Sequence, residues 1–276
     1  MKPARRLFAF AAVLLVAGLA AAYGLRHLLS APVVPAIIVR GADARRELSP
    51  GLGAHLGRLL HDRIPGDRSA RPKLIALTFD DGPYPVETPL LLAELRDLHV
   101  PATFFLIGDD TEIFPDLARR IEAGGNEIAN HTQTHPARFE ALDAAGVRLE
   151  LAEGARTLQR YVHDKAITTM MRPPHGRFTL ATVEAAQSAG YHVVLWSDDP
   201  GDWRAAATPD VMAAHVERFA TAPEIMLLHS GRLNTIEVLP TIVAHFRAAG
   251  FRFVTIGQLM RDVPIAQIDH PAKVRV

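Results

Sequence analysis

The chain has 276 residues, with 30 basic and 30 acidic side chains and no cysteine. That length suits one enzyme-sized unit with appendages, and the lack of cysteine excludes disulfides, thiol catalysis and a lipid-modified cysteine. Lys2, Arg5, Arg6 and Arg26 stand before residue 31 with no acid among them, which leaves 26 basic against 30 acidic residues and no electrostatic reason to bind nucleic acid.

The basic start leads into an uncharged run from Leu7 to Leu25. The run is longer than the roughly 7–15 apolar residues of a signal-peptide core and close to the roughly 20 that span a bilayer. Residues 1–29 therefore read as a membrane anchor, with cleavage at Ala20-Ala21-Ala22 as the alternative. The positive-inside rule places everything after residue 26 outside the cytoplasm, as an anchored or a secreted and periplasmic form. Residues 30–72 open on Ala31-Pro32-Val33-Val34-Pro35 and close on Asp67-Arg68-Ser69-Ala70-Arg71-Pro72, so they read as a spacer, with one short helix near 52–60.

From 73 to 262 short apolar runs alternate with amphipathic ones. Strands are expected over 74–79, 102–106, 127–129, 169–172, 192–196, 225–228 and 252–255. Helices are expected over 89–98, 115–123, 141–161, 179–189, 209–221 and 236–249, with Gly190 and Gly250 as stops after two of them. Such alternation implies a parallel sheet, and residues 263–276 form a tail.

Five of the apolar runs end on polar groups. The first ends Thr78-Phe79-Asp80-Asp81-Gly82-Pro83, and the third is followed by His131-Thr132-Gln133-Thr134-His135. Met171-Arg172-Pro173-Pro174-His175-Gly176, then Trp196 to Trp203, then Met226-Leu227-Leu228-His229-Ser230 complete the set. Asp-Asp-Gly-Pro alone would fit a surface turn, and a single H-x-x-x-H is a weak signal. Five strand ends in this order instead gather chemistry at the carboxyl edge of an α/β barrel. One carboxylate and two histidines supply three metal ligands with positions left open, and the second carboxylate remains for proton transfer. His99, His163, His192, His215 and His245 lie in helical or strand patterns and read as structural.

Together these segments resemble the polysaccharide deacetylases with a NodB-type domain, a family of metal-dependent carbohydrate esterases, over roughly residues 73–260. The resemblance implies an irregular (β/α)7 barrel and one divalent metal, zinc first, with cobalt, nickel or manganese as alternatives. It makes Asp80 the general base and Asp81, His131 and His135 the metal ligands. Arg172 would hold Asp80 ionised, His229 would be the general acid, and Asp202 would pair with it. Trp203 and Leu227 would wall a pocket for the acetyl methyl, and the backbone N–H of His175 would help to hold the oxyanion. The chain departs from the family pattern at His175, where tyrosine is more frequent, and at Ser230, where aspartate is frequent. Asp199 matches the family and Asp198 has no assigned role. The implied reaction removes N-acetyl groups from hexosamine units of a surface or exported polysaccharide. Alternatives are an O-acetyl esterase, a cyclic amide or imide hydrolase, and an inactive carbohydrate-binding module. A two-histidine, one-carboxylate iron oxygenase shares the ligands but would leave Asp80 and His229 without a task.

Overall fold

A computed structural model describes residues 72–219 and 222–263; the anchor and spacer expected up to residue 71 and the tail beyond 263 lie outside the described residues. β1 (Leu74–Asp80) is buried at all seven positions, as a strand covered on both faces must be. Its apolar composition up to Leu77 suits that placement. After it come α1 (Glu87–Asp97), β2 (Ala102–Leu106), α2 (Gly108–Ile113), α3 (Pro115–Ala123), β3 (Glu127–Asn130) and α4 (Ala144–Gln159). The second half contains β4 (Met170–Met171), α5 (Leu180–Ser188), β5 (His192–Val193), α6 (Pro209–Phe219), β6 (Glu224–His229), α7 (Leu233–Ala248), β7 (Arg252–Phe253) and α8 (Ile256–Asp262).

Every strand pairing is parallel, in the order β5-β4-β3-β2-β1-β6, with β7 against the start of β1. Parallel neighbours need crossover connections, which the helices supply. The sheet curls until its two edges meet. Asp198, five residues beyond β5, forms a parallel bridge with Met226, and the Leu227 N–H donates to the Asp198 carbonyl at 2.9 Å. The result is a curled parallel α/β fold of the (β/α)7 kind.

Alternation along each strand separates two environments. Ile75, Leu77 and Phe79 of β1, Phe104 and Leu106 of β2, and Met226 and Leu228 of β6 join one core cluster with Leu91 and Leu95 of α1 and Leu239, Ile242 and Phe246 of α7. The residues between them, Thr78, Asp80, Phe105, Leu227 and His229, belong to the opposite, inner face. Register then sets Thr78 beside Leu227 and Asp80 beside His229. The polar ends of β1 and β6 thus share one mouth.

Several boundaries differ from the sequence expectation for physical reasons. The strand expected over 192–196 stops at Val193, because the Arg172 side chain takes the next two carbonyls: its Nε donates to Val194 O at 3.0 Å and its Nη2 to Leu195 O at 3.1 Å. β4 is cut to two residues, since Pro173 and Pro174 have no N–H for a ladder. α4 begins at Ala144 and not at 141, because Asp143 caps it by accepting from the Gly146 N–H at 2.7 Å. Two helices were not anticipated. α2 has only six residues, too few for a periodic pattern, and α8 is a seven-residue helix closed by a reciprocal Thr255–Gln258 capping box.

Candidate metal and proton-transfer site

Asp80 and Asp81 leave β1 in different directions. Asp81 has φ 69°, a left-handed value that is uncommon for a residue with a Cβ, and the two adjacent carboxylates consequently meet different main partners, although both lie near His131 Nε2, Asp80 Oδ2 at 3.8 Å. Asp80 Oδ1 accepts from Arg172 Nη1 at 2.6 Å, whereas Asp81 Oδ1 lies 3.5 Å from His131 Nε2 and 3.4 Å from His135 Nε2. Ser230 secures this turn from the end of β6. Its N–H donates to the Asp80 carbonyl at 3.0 Å, and its hydroxyl lies 2.9 Å from the Asp81 carbonyl oxygen.

The two histidines sit on a loop whose backbone is closely held. Thr132 and His135 both have positive φ, 72° and 50°. The Thr132 N–H donates to Asn130 Oδ1 at 2.8 Å and the His135 N–H to Thr132 Oγ1 at 3.1 Å. On the carbonyl side, the Gly108 and Asp109 N–H groups at the start of α2 donate to Thr132 O and Gln133 O at 3.0 and 2.9 Å. The unanticipated helix α2 is thus part of the loop's support.

Both imidazoles turn Nε2 toward the Asp81 carboxylate. His131 Nδ1 lies 2.8 Å from the Arg172 carbonyl oxygen, which can only accept, so Nδ1 carries a proton and Nε2 is the ring atom turned toward Asp81. Burial pushes His135 down to about 3, helped by the charge of His131 and opposed by Asp81, so its ring is neutral at ordinary pH. Burial works to raise Asp81, but the hydrogen bond and charge of His131, with His229 and His135, outweigh it and hold the carboxyl well below the usual range. One donor atom from each of Asp81, His131 and His135 lies within 4.8 Å of the others. An ionised carboxylate, the neutral His135 ring and the His131 imidazole at that separation fit a divalent cation that accepts nitrogen and oxygen.

Arg172 is fully buried, with its guanidinium carbon 4.1 Å from the Phe105 ring centroid. Burial works to lower its pKa and the Asp80 carboxylate opposes this. Nη1 also donates to Thr78 Oγ1 at 2.8 Å, so one side chain fixes Asp80 and satisfies three further acceptors. Across the mouth, His229 Nδ1 donates to Asp202 Oδ1 at 2.8 Å, while Asp202 Oδ2 accepts from the His229 N–H and from Thr235 Oγ1, each at 2.7 Å. Burial pushes His229 down, but the Asp202 hydrogen bond and charge, with Asp80 and Asp81, bring it to about 9. The imidazolium is therefore the form present at neutral pH.

The chain as a whole has relatives among known proteins. The family model for polysaccharide deacetylases matches residues 67–194. A peptidoglycan-N-acetylglucosamine deacetylase of Bacillus cereus is 37% identical over 198 residues, which cover 68% of this chain and 89% of that protein. The chain belongs to the polysaccharide deacetylase family. A chitooligosaccharide deacetylase of Bradyrhizobium sp. is 35% identical over 199 residues, covering 67% of this deacetylase and 90% of that one. A crystal structure of the Bc1960 peptidoglycan N-acetylglucosamine deacetylase, in complex with 4-naphthalen-1-yl-N-oxidanyl-benzamide, superposes with a TM-score of 0.65 at 29% identity, covering 69% of this chain and 89% of that one.

The remaining expected positions of the deacetylase are spread around the same mouth. Trp203 is 37% exposed and follows Asp202 directly; its indole N–H donates to Asp199 Oδ2 at 3.4 Å, and Asp199 Oδ1 also accepts from the Gly201 N–H at 2.8 Å. Leu227 is buried two residues before His229 on the inner face of β6. His175 is exposed on a short 3-10 turn, with its ring centroid 4.5 Å from that of His135. Asp198 is elsewhere: its carboxylate meets His215 of α6 at 2.7 Å. Sequence reasoning missed Thr235, Asn130 and the anchoring role of Ser230. Asn130 ends an apolar strand beside His131 and could have been flagged, whereas Thr235 has no local signal. A cavity of about 490 Å³ lined by Arg96, His99, Arg120 and Asn126, among others, lies at the amino-terminal ends of β2 and β3 and contains none of these groups. Strand ends, and not that void, locate the chemistry.

Proposed function

We propose that this deacetylase removes N-acetyl groups from β-linked N-acetylglucosamine units of a surface or exported glycan, using one divalent cation, zinc first, held by Asp81, His131 and His135. The observation that carries the reading is the pair of proton-handling groups on either side of that cluster. Asp80 is fixed by Arg172 at 2.6 Å and His229 is held protonated by Asp202 at 2.8 Å. When bound, the cation supplies Lewis acidity, which polarises the acetyl carbonyl and eases deprotonation of water. Asp80 takes the proton of the attacking water, and His229 returns one to the departing amine nitrogen as the C–N bond breaks. Acetate and a free amine result. The N–H of His175 helps to stabilise the oxyanion, and Trp203 with Leu227 limits the acyl group to acetyl, since a bulkier group would displace packed side chains.

The names of the relatives support a glycan substrate, one naming peptidoglycan N-acetylglucosamine and another chitooligosaccharide. A polymer outside the cytoplasm accords with residues 1–29 as an anchor and 30–72 as a spacer. Full-length protein is expected to pellet with membranes and resist carbonate extraction; an amino terminus at Tyr23 would show a cleaved form instead.

Acetate release decides the reaction. Acetylated chito-oligomers and peptidoglycan should yield acetate, chelation should abolish it, and zinc or cobalt should restore it. Full activity in chelated, metal-free protein would remove the metal assignment. Release from acetylated xylan alone would favour the O-acetyl esterase, and no release from any of the three with metal loaded would favour the cyclic-amide hydrolase.

A further inference from the structure

The histidine loop is held from a second side by α4. Glu150 Oε2 accepts from the backbone N–H groups of Gln133 at 3.1 Å and Thr134 at 2.9 Å, and Oε1 accepts from the Thr134 hydroxyl at 2.9 Å. The Glu150 carbonyl also accepts from the Gln133 N–H, at 3.1 Å. One turn further along, Gly154 lets α4 approach the loop closely. A Cβ there would lie 2.7 Å from Asn130 Oδ1 and 2.9 Å from the Thr132 carbonyl carbon.

With these contacts four successive N–H groups are accounted for: Thr132 on Asn130, Gln133 and Thr134 on Glu150, and His135 on Thr132. Thr132 and His135 carry positive φ values that a flexible loop would abandon, so the loop needs external contacts to hold them. Glu150 supplies the only one of these acceptor groups that is charged, and charge-assisted hydrogen bonds are the stronger kind. Its chemistry is also specific. Both amides share Oε2, and the Thr134 hydroxyl takes Oε1; glutamine could keep this pattern with its NH₂ on the hydroxyl but would lose the charge, and aspartate is a methylene short.

We propose that Glu150 is a positioning residue of the metal centre, which holds the 132–135 turn so that His135 presents Nε2 to the cation, and thereby sets metal affinity without touching the ion. The inference rests on the reading of Asp81, His131 and His135 as the ligand set.

The test is zinc binding to chelator-stripped full-length protein, by calorimetry and by competition with a chelating dye, for wild type, Glu150→Gln, Glu150→Ala and Arg148→Ala. Arg148 is an exposed residue of the same helix and serves as the control. Glu150→Ala should weaken zinc up to about 10-fold, the low end of the range for losing a direct partner of a metal ligand because Glu150 bonds the turn between the ligands, with a smaller loss for Glu150→Gln and none for Arg148→Ala. Turnover of the Glu150 variants should recover as zinc is raised, with KM for a chito-oligomer unchanged. A purely structural role would lower the melting temperature of the metal-free protein and leave zinc affinity alone, and that result in both Glu150 variants would overturn the proposal. If Glu150→Ala does not fold, Glu150→Gln decides. Wild type that binds no divalent cation would remove the metal reading itself, whereas wild-type binding with unaltered variants removes only the role of Glu150.

Discussion

Asp80 and Asp81 are adjacent carboxylates on one strand end, and their separate partners predict separate failures. Asp80 Oδ1 is bound by Arg172 and its Oδ2 lies 3.8 Å from His131 Nε2, farther than Asp81, so in the proposed roles Asp80→Asn should keep metal and lose about a hundredfold to ten-thousandfold in turnover, as removal of a positioned proton acceptor does. Asp81→Asn should lose both metal and activity. Metal content of the two purified variants separates them, and the reverse pattern would exchange the proposed roles. His229 gives a prediction in pH. Its pKa is raised from 6.5 to about 9, so the protonated acid persists through neutral pH and its stabilising interaction with Asp202 is full below the ordinary value and fades as pH rises through about 9. Asp202→Asn removes the charge that raises it. The alkaline limb of kcat/KM should move to lower pH, and the rate at neutral pH should fall. An unmoved limb would mean that another group is the acid.

At the scale of elements, the loop between β3 and α4 depends on the helices beside it more than on its own sequence. Gly154→Ala would gain up to about 1 kcal/mol of helix propensity in an exposed helix, but here the added Cβ meets backbone and a held amide, and overpacking costs about 1–3 kcal/mol. The loss should win. The melting temperature should drop by roughly 2–4 °C for each kcal/mol, and zinc affinity should fall with it because the displaced atoms carry the histidine loop; an equal or higher melting temperature would show that α4 can retreat at no cost. Elements also mark where sequence reading reached its limit. β2 and α3 appear at the expected residues because apolar periodicity and a Pro at the helix start are local signals. α2 is as important to the site, yet six residues opening Gly108-Asp109-Asp110 offer no period to read. β5 loses its last three expected residues to the side chain of Arg172, which follows β4, and no local rule can anticipate that.

At the scale of the molecule, Arg172 joins the parts. Its guanidinium reaches β1 through Thr78 and Asp80 and the end of β5 through Val194 and Leu195, all within a fully buried site. Lysine has no planar fork and cannot serve these acceptors together. Arg172→Lys keeps the charge but should leave buried acceptors unpaired, at about 1–3 kcal/mol each, whereas Arg172→Met breaks the buried ion pair and should cost about 3–5 kcal/mol. Urea unfolding measures this, and a lysine variant as stable as wild type would refute the linking role. The sequence by itself determined the alternating strand and helix pattern, the polar strand ends, the family resemblance and the residue types available for catalysis. These are encoded by neighbours along the chain, through periodicity, turn chemistry and short motifs. Only the tertiary structure decided the contacts that the resemblance did not imply, Ser230 under Asp81 from 149 residues away and Thr235 on Asp202 from 33. Such contacts arise from the pairing of β6 with β1 and from the curl that brings the segment after β5 beside β6, and register is a property of paired strands that neither strand carries alone.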